Sequence, residues 1–269
     1  MITGAVLGSP ISHSLSPVLH KAAFAFLGIE GNYSAIKVES GALAKFLQTR
    51  SSEFDYLSLT MPLKEEVLGL GFDADALTQR IQSGNTLIKR NDKWSISSTD
   101  GSGFVAALEH AGINEIESVL LLGAGGTARA VTGSLDSIAK NIHVLGRSSL
   151  RQEALESAIS HSHFEYHRWS SDIDFTQYDL VVNTTPAGAA DLLASAVNPG
   201  IKATLFDVIY KPWPTELAQR WSDCGGTVIN GLELLMYQGL DQLAMVLDIE
   251  LDREALATHL RDVLRKSAR

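Results

Sequence analysis

Two short segments of the chain carry residues whose types and spacing could do chemistry. The first, "SLTMPLKEEV" at residues 58 to 67, places Lys64 two positions after Pro62 and before two acids. Because an apolar run ends at Thr60 and proline favours the first turn of a helix, Lys64 is predicted to project from a helix N-terminus at the carboxyl end of a strand. A lysine there could exchange a proton with a reacting oxygen. A solvated surface charge is the alternative, and this segment by itself favours it.

The second segment is a glycine-rich turn between an apolar run and a series of small residues. "SVLLLGAGGTARAV", residues 118 to 131, contains the G-x-G-x-x-G/A pattern in the strand–turn–helix context that dinucleotide sites require. The first glycine permits a tight turn, the second lets the backbone approach a pyrophosphate, and the helix N-terminus supplies amide donors. A plain strand–helix turn is the alternative. The pattern predicts a dinucleotide site formed by Gly123, Ala124, Gly125, Gly126, Thr127 and Ala128.

The end of the following predicted strand indicates which dinucleotide binds. Residues 142–145 are apolar or β-branched apart from one histidine, and "GRSSLR" follows at residues 146–151. NAD sites usually carry an acid at this strand end for the ribose hydroxyls, whereas NADP sites often carry an arginine for the 2′-phosphate. Arg147 stands at that place with Ser148 and Arg151 beside it, which favours NADP(H). Two solvated arginines at the start of a helix are the alternative.

The elements that must position these residues alternate along the chain. Helical patterns separate short apolar or β-branched runs, which is typical of βαβ units and a mostly parallel sheet. The predicted strands cover residues 5–7, 33–38, 56–60, 119–122, 142–145, 180–183, 204–208 and 227–229. "SSTDGSGF", residues 97–104, is the best candidate hinge between two series of strands, and a helix over 104–111 is expected to follow it.

The C-terminal segment predicts helices only. Residues 231–269 place apolar side chains at helical spacing and contain no strand pattern. Two helices have little to bury against by themselves, so we expect them to return to the first domain. The predicted architecture is therefore α/β, with an N-terminal α/β substrate domain of residues 1–101 and 232–269 and a Rossmann-type dinucleotide-binding domain of residues 102–231.

Composition excludes several classes of protein. The 269 residues are 45% hydrophobic and 20% charged, which suits globular domains with buried cores. A net charge of −9 and the absence of a Lys/Arg run argue against nucleic acid or an anionic membrane as a partner. No run of about 18 apolar residues occurs, so we expect an untargeted, cytoplasmic protein. Cys224 is the single cysteine and is expected to be buried, without a disulfide.

Several further segments, taken together with these two, resemble one family. In chain order they are "GSPISHSLSP", "SLTMPLKEEV", "SGNTL", "STDGSG", "GAGGTA", "NTTPAG", "DVIYKPWPTEL" and "GLELLMYQ". Their joint occurrence, from about residue 4 to residue 245, closely resembles the shikimate dehydrogenase family. The resemblance implies reduction of 3-dehydroshikimate to shikimate by NADPH, in the pathway through chorismate to the aromatic amino acids.

The resemblance also implies roles for single residues. Lys64 would be the catalytic general acid and base, and Asp100 its partner. The substrate contacts would come from Ser14 and Ser16 at the carboxylate, Asn85 at the hydroxyls, and Thr60, Lys64, Asp100, Tyr210 and Gln238. Besides Lys64, three of these residues have a structural alternative. Ser16, with Pro17 at the first helical position, resembles a helix N-cap, Asp100 could cap the helix after the hinge, and Gln238 could be a polar position on an amphipathic helix. Ser14 has no such alternative.

On the cofactor side, the resemblance adds residues at three strand ends. Arg147, Ser148 and Arg151 would contact the adenosine phosphate. Asn183, Thr184 and Thr185 end the next strand, and Val208 and Gly231 would lie near the nicotinamide. Gly146 stands where the family has an asparagine, which removes one side chain from the expected cofactor pocket.

The implied chemistry is hydride transfer to a ring ketone with a proton delivered from Lys64, and it requires no metal. His161, His163 and His167 alternate in "HSHFEYH", but no cysteine or cluster of carboxylates accompanies them, so we expect surface histidines and no metal site. The expected partners are shikimate and 3-dehydroshikimate, in a monomer or homodimer. The alternatives are a quinate/shikimate dehydrogenase using NAD, a nonenzymatic paralogue that senses shikimate or NADP(H), and, more weakly, a tetrahydrofolate dehydrogenase.

Overall fold

A computed structural model of the chain describes residues 1–268. Its contacts divide the chain into two compact units, one formed by Met1–Gly103 with the segment that starts at Leu235, the other by Phe104–Leu234. Each unit contains a six-stranded sheet. This mixed α/β architecture, with C-terminal helices that belong to the first unit, confirms the predicted fold class.

The strands are β1 (Ile2–Gly8), β2 (Gly31–Lys37), β3 (Tyr56–Leu59), β4 (Asp73–Ala74), β5 (Thr86–Arg90), β6 (Lys93–Ser97), β7 (Ser118–Leu122), β8 (Asn141–Gly146), β9 (His163–Arg168), β10 (Leu180–Asn183), β11 (Thr204–Asp207) and β12 (Val228–Asn230). The helices are α1 (Ser16–Leu27), α2 (Leu43–Arg50), α3 (Leu63–Glu66), α4 (Ala76–Ile81), α5 (Asp100–His110), α6 (Gly126–Leu135), α7 (Gln152–Glu156), α8 (Glu216–Asp223), α9 (Gly231–Leu247) and α10 (Arg253–Ser267).

The sheet of the first unit has the order β2-β1-β3-β5-β6-β4 and is mixed rather than mostly parallel. β1 pairs parallel to β2 and β3, whereas β5 is antiparallel to both β3 and β6. The β5–β6 hairpin was not predicted from the sequence. Its two-residue turn, Asn91 and Asp92, has φ values of 49° and 60°, the positive values that a type I′ turn requires. Asn-Asp between two alternating segments was the signal that could have revealed it.

The sheet of the second unit is entirely parallel, in the order β12-β11-β10-β7-β8-β9. Its central strands β7 and β10 are almost wholly buried, as expected where helices cover both faces. The chain runs outward from β7 in both directions, so the strand order reverses between β7 and β10. In open α/β sheets, ligands bind at the carboxyl edge beside such a reversal.

Each unit has its own apolar core. In the first, side chains from β1, β3, α2 and α3 pack together, including Leu7, Leu57, Leu43 and Leu63. In the second, side chains from β7, β10, β11 and α8 surround Trp221. Cys224 is buried there, as expected. Helices α9 and α10 pack on α1 of the first unit, where Gly239 closely approaches Leu19.

The predicted N-terminal cap of α1 was wrong. The helix begins at Ser16 itself, the cap position is Leu15, and no side chain caps the helix. The Ser16 amide instead donates to Ser14 Oγ over 3.3 Å, so Ser14 has a local role that the sequence analysis did not assign. At the other end, Gly28 adopts the left-handed conformation with φ 66°, which glycine accommodates readily after a helix.

The boundary between the two units, after Gly103, falls within the predicted hinge of residues 97–104, but the helix that follows begins earlier than expected. β6 extends to Ser97, and α5 already begins at Asp100 rather than at residue 104. Gly103 is explained by packing, because a Cβ there would lie 2.5 Å from the backbone nitrogen of Gln238 in α9. Gly103 thus allows close packing between α5 and α9.

Among the helices of residues 1–268, none combines the length and the apolar composition that crossing a bilayer requires.

Candidate active site

A lysine and an aspartate from separate segments meet in the first unit. Lys64 is the second residue of α3, directly after the segment that leaves β3, and its Nζ donates to Oδ2 of Asp100, the first residue of α5. Their side chains are 14% and 6% exposed, so the pair is largely shielded from water without being sealed off. A charge-assisted hydrogen bond in such a place holds the ammonium in one position.

Asn85 holds the other side of the Asp100 carboxylate. Its Nδ2 lies 2.7 Å from Asp100 Oδ1 and 3.3 Å from the Oε1 atom of Gln238. Its Oδ1 accepts from the backbone amide of Thr99 over 2.8 Å, which fixes the orientation of the amide group. Four predicted site residues, Lys64, Asn85, Asp100 and Gln238, therefore form one connected network.

A buried polar layer that the sequence analysis missed supports Asn85. Thr86 Oγ1 donates to Asn85 Oδ1 over 2.8 Å, and Gln242 Nε2 donates to Thr86 Oγ1 over 2.8 Å. Gln242 Oε1 in turn accepts from Ser58 Oγ over 2.8 Å. Because each of these polar groups is buried and satisfied by its neighbours, the layer fixes the site residues above it. The signal for Gln242 was its position one helical turn after Gln238.

His20 lies deeper in the same unit, next to this layer. Its side chain is fully buried, stacks on Tyr33 with ring centroids 4.0 Å apart, and its Nδ1 lies 2.8 Å from the Tyr56 hydroxyl. Burial lowers the pKa of His20 from 6.5 to about 3, and the side chain of Gln242 only partly opposes this shift. His20 is therefore neutral in the folded protein at neutral pH.

This buried histidine predicts an acid-sensitive stability. The unfolded chain binds a proton on His20 below pH 6.5 and the folded chain does not until about pH 3, so the free energy of unfolding decreases as pH falls through that window. The expected slope is about 1.4 kcal/mol per pH unit. Between pH 6 and pH 5, the free energy of unfolding measured with urea should fall by about 1.4 kcal/mol less in His20→Gln than in the wild type. The exposed His13→Gln is the control, and an unchanged pH dependence in His20→Gln would contradict the assignment.

The remaining substrate candidates of the first unit lie at the carboxyl ends of β1 and β3. Ser14 lies in the connection from β1 to α1 and Ser16 is the first residue of α1, with their hydroxyl oxygens 3.2 Å apart. Thr60 follows β3, and its amide donates to the carbonyl of Leu7 in β1 over 2.9 Å. Since β1 and β3 are parallel neighbours, both segments leave the sheet at the edge where α3 presents Lys64.

In the second unit, the glycine-rich turn has the geometry that a dinucleotide pyrophosphate requires. Gly123 has φ 107°, and a Cβ there would lie 2.6 Å from Thr184 Oγ1, so no larger residue fits. Gly125 is the N-cap of the ten-residue α6. A Cβ on Gly125 would point into space whose nearest atom is Arg151 Nη1 at 3.5 Å. The open approach and the helix amides suit a phosphate group.

The arginines expected at the adenosine phosphate follow β8. Arg147 and Ser148 are exposed directly after the strand, and Arg151 Nη1 lies 3.4 Å from the carbonyl of Ala124 in the glycine-rich turn. The structure explains why residue 146 is glycine rather than the asparagine of the family: a Cβ there would collide with the hydroxyl of Tyr166 in β9. That hydroxyl donates to the Ser148 carbonyl over 2.6 Å and so orders the arginine segment.

The candidates for the nicotinamide region lie at the carboxyl ends of β10 and β11. Asn183 is buried, and its Nδ2 donates to Asp207 Oδ1 over 3.1 Å. Burial raises the pKa of Asp207. Val208 follows β11, and Gly231 opens α9 so close to the Val208 carbonyl that a Cβ would collide with it. Tyr210, predicted to contact substrate, lies in the loop after β11, in the second unit rather than the first.

A parallel sheet with a glycine-rich turn at its strand reversal, in the same chain as a shielded Lys–Asp pair, is typical of two-domain, dinucleotide-dependent oxidoreductases. Residues 6–87 match the family model described as the shikimate dehydrogenase substrate binding domain. A curated relative, shikimate dehydrogenase (NADP(+)) of Methanococcoides burtonii, is 35% identical over 242 residues that cover 88% of this chain and 89% of the relative. The chain belongs to the shikimate dehydrogenase family.

Solved structures agree with this membership. The Mycobacterium tuberculosis shikimate dehydrogenase is 30% identical, with a TM-score of 0.84 over 97% of this chain and 100% of that one. The Thermus thermophilus shikimate 5-dehydrogenase, solved in complex with NADP(H) and shikimate, is 29% identical, with a TM-score of 0.82 over 98% of this chain and 100% of that one.

Proposed function

We propose that this protein catalyses the reversible reduction of 3-dehydroshikimate to shikimate with NADPH. The observation that carries the proposal is the network of Lys64, Asp100, Asn85 and Gln238 at the end of the first unit's parallel strands. Relatives named shikimate dehydrogenase (NADP(+)), and a structural neighbour solved with NADP(H) and shikimate, support it. In this proposal the first unit binds substrate and the second binds NADP(H).

Polar groups of the first unit would position the substrate. The hydroxyls of Ser14 and Ser16, at the N-terminus of α1, suit a carboxylate. Asn85 and Gln238 offer amide groups for ring hydroxyls, and Thr60 adds a hydroxyl at the same edge. Tyr210 stays a predicted substrate contact.

Lys64 is the proposed proton donor. As the substrate ketone is reduced, negative charge develops on its oxygen, and an ammonium held there stabilises that charge and transfers a proton. Asp100 accepts from Lys64 and keeps the ammonium aimed at one place, while Asn85 keeps the carboxylate from rotating away. For shikimate oxidation Lys64 takes the proton instead.

The residues of the second unit fit a dinucleotide, as the tight turn at Gly123 and the open space at Gly125 indicate. Gly123 to Ala128 would hold the pyrophosphate, Arg147, Ser148 and Arg151 the adenosine phosphate, and Asn183, Thr184, Val208 and Gly231 the nicotinamide end. When bound, NADPH supplies the hydride.

The test is shikimate oxidation followed by absorbance of the reduced nicotinamide, with NADP and NAD in separate reactions and quinate as the second substrate in each. Turnover with shikimate and NADP, and much slower turnover in the other combinations, is the expected result. Comparable rates with quinate or NAD would move the protein to the broader quinate/shikimate class. Binding of NADP without turnover in any combination would contradict catalysis and favour a sensor. The cytoplasmic location and the monomeric or homodimeric state remain predictions.

A further inference from the structure

The outer strands of the second unit's sheet bring three potential metal ligands together on one face. His143 of β8 is directly paired with Glu165 of β9, so their side chains point to the same side. His167 lies two residues after Glu165 and therefore shares that face. The sequence analysis considered only the histidines of "HSHFEYH" and found no carboxylates clustered with them. Strand pairing brings His143 to this group and places Glu165 between two imidazoles.

The distances suit a single ion. Glu165 Oε2 lies 3.1 Å from His167 Nε2 and 3.8 Å from His143 Nδ1. One ligand atom from each of the three residues lies within 4.8 Å of the others. Two ligands of a tetrahedral zinc ion, each bonded at about 2.1 Å, are about 3.4 Å apart. The two observed separations of 3.1 and 3.8 Å lie on either side of the required one. Small side-chain rotations would therefore bring the three ligand atoms into place around one ion.

We propose that His143, Glu165 and His167 form a zinc site, with water as the fourth ligand. Two imidazoles and one carboxylate form the donor set that zinc takes in many proteins, whereas Mg²⁺ and Ca²⁺ prefer oxygen ligands alone. The side chains are 22%, 43% and 46% exposed in chain order, so the face is open to an entering ion and to a water ligand.

A fourth residue, His163, would position the carboxylate. Its Nε2 lies 3.1 Å from Glu165 Oε1, whereas the contacts of Glu165 with His143 and His167 involve Oε2. A hydrogen bond to the non-ligating oxygen holds a metal-bound carboxylate in orientation, as outer partners commonly do in metal sites. His163 is thus a positioning residue rather than a ligand.

The proposed site would act as a clip between β8 and the edge strand β9. β9 is hydrogen-bonded to a neighbour on one side only, so a metal joining it to β8 would limit its separation from the sheet. Because β9 also carries Tyr166, which orders the segment after β8, the clip would stabilise the strands beneath the proposed adenosine phosphate site.

The experiment is a titration of the full chain, free of any affinity tag and stripped with EDTA, with ZnCl₂ alone in an isothermal calorimeter. One zinc ion per chain is expected, together with a zinc-dependent rise in the unfolding temperature that EDTA reverses. His143→Ala, His167→Ala and Glu165→Gln should each weaken binding by more than the 10- to 100-fold typical for loss of an outer partner. His163→Ala should weaken it by about 10- to 100-fold, and His163→Gln, whose amide can still donate to Oε1, should restore much of the affinity.

His110→Ala is the matched control, because His110 is an exposed histidine of the same unit outside the cluster. Unchanged zinc affinity in this variant is expected. The proposal is overturned if the wild type binds no zinc at millimolar concentration, or if the ligand variants bind as tightly as the wild type. It is equally overturned if His110→Ala loses as much affinity as they do. Glu165→Gln keeps the shape of its side chain, so the test stands even if His143→Ala fails to fold.

Discussion

Replacement of Lys64 by alanine is expected to lower kcat for shikimate oxidation by about 10²- to 10⁴-fold, the usual contribution of a positioned acid or base. The dissociation constant of NADP(H) should stay nearly unchanged, since the cofactor candidates belong to the second unit and Lys64 to the first. A loss confined to kcat is the kinetic sign that the lost interaction is used in the transition state. Steady-state rates and a fluorescence titration of NADPH measure the two quantities.

The Lys64→Ala variant needs one control for its stability and another for the loss of a positive charge. Removal of Lys64 leaves Asp100 buried with only Asn85 as a partner among its site contacts, which itself destabilises the first unit. Thermal unfolding should therefore show that the variant is folded at the assay temperature. Lys37→Ala removes an exposed lysine of the same unit, paired with Glu39, and should leave kcat unaltered. A large loss of NADP(H) affinity in Lys64→Ala would show that the assignment is wrong.

Replacement of Arg147 by alanine is expected to weaken NADP(H) binding by about 100-fold and NAD(H) binding very little. A guanidinium that pairs with a phosphate makes charge-assisted hydrogen bonds that alanine cannot replace, and only NADP(H) carries the 2′-phosphate. Arg147 is exposed directly after β8, and the Tyr166 hydroxyl orders the residue that follows it. Titrations of the variant with NADPH and NADH, compared with the wild type, give the two ratios.

Lys140→Ala is the matched control for this prediction. Lys140 is an exposed cation of the same unit and pairs with Glu117. It directly precedes β8, whereas Arg147 directly follows that strand, so the two cations lie at opposite ends of β8. Lys140→Ala should leave both affinities and their ratio unchanged. Equal weakening of NADPH and NADH in Arg147→Ala would mean that Arg147 does not recognise the 2′-phosphate.

The features that sequence reasoning predicted correctly depend on neighbours in the chain. The glycine-rich turn is bounded by an apolar strand and a helix, and Gly123 has the positive φ that its role in the turn requires. The helix after Pro62 follows from the same kind of local chemistry. Where local signals competed, the predictions were wrong. Ser16 was predicted to cap α1 but is its first residue, and the helix predicted over residues 104–111 begins at Asp100 instead.

By itself, the sequence determined the α/β alternation, the glycine-rich turn and the candidate residues, because periodicity and turn chemistry act over a few residues. Only the tertiary structure decided which of these residues contact one another. Asn85 meets Gln238 from 153 residues away, and Gln242 reaches Ser58 from 184 residues away. The pairing of β8 with β9 likewise brings His143 to Glu165. Such contacts depend on strand register and helix packing, which arise from the burial of many apolar side chains at once, and no short segment encodes them.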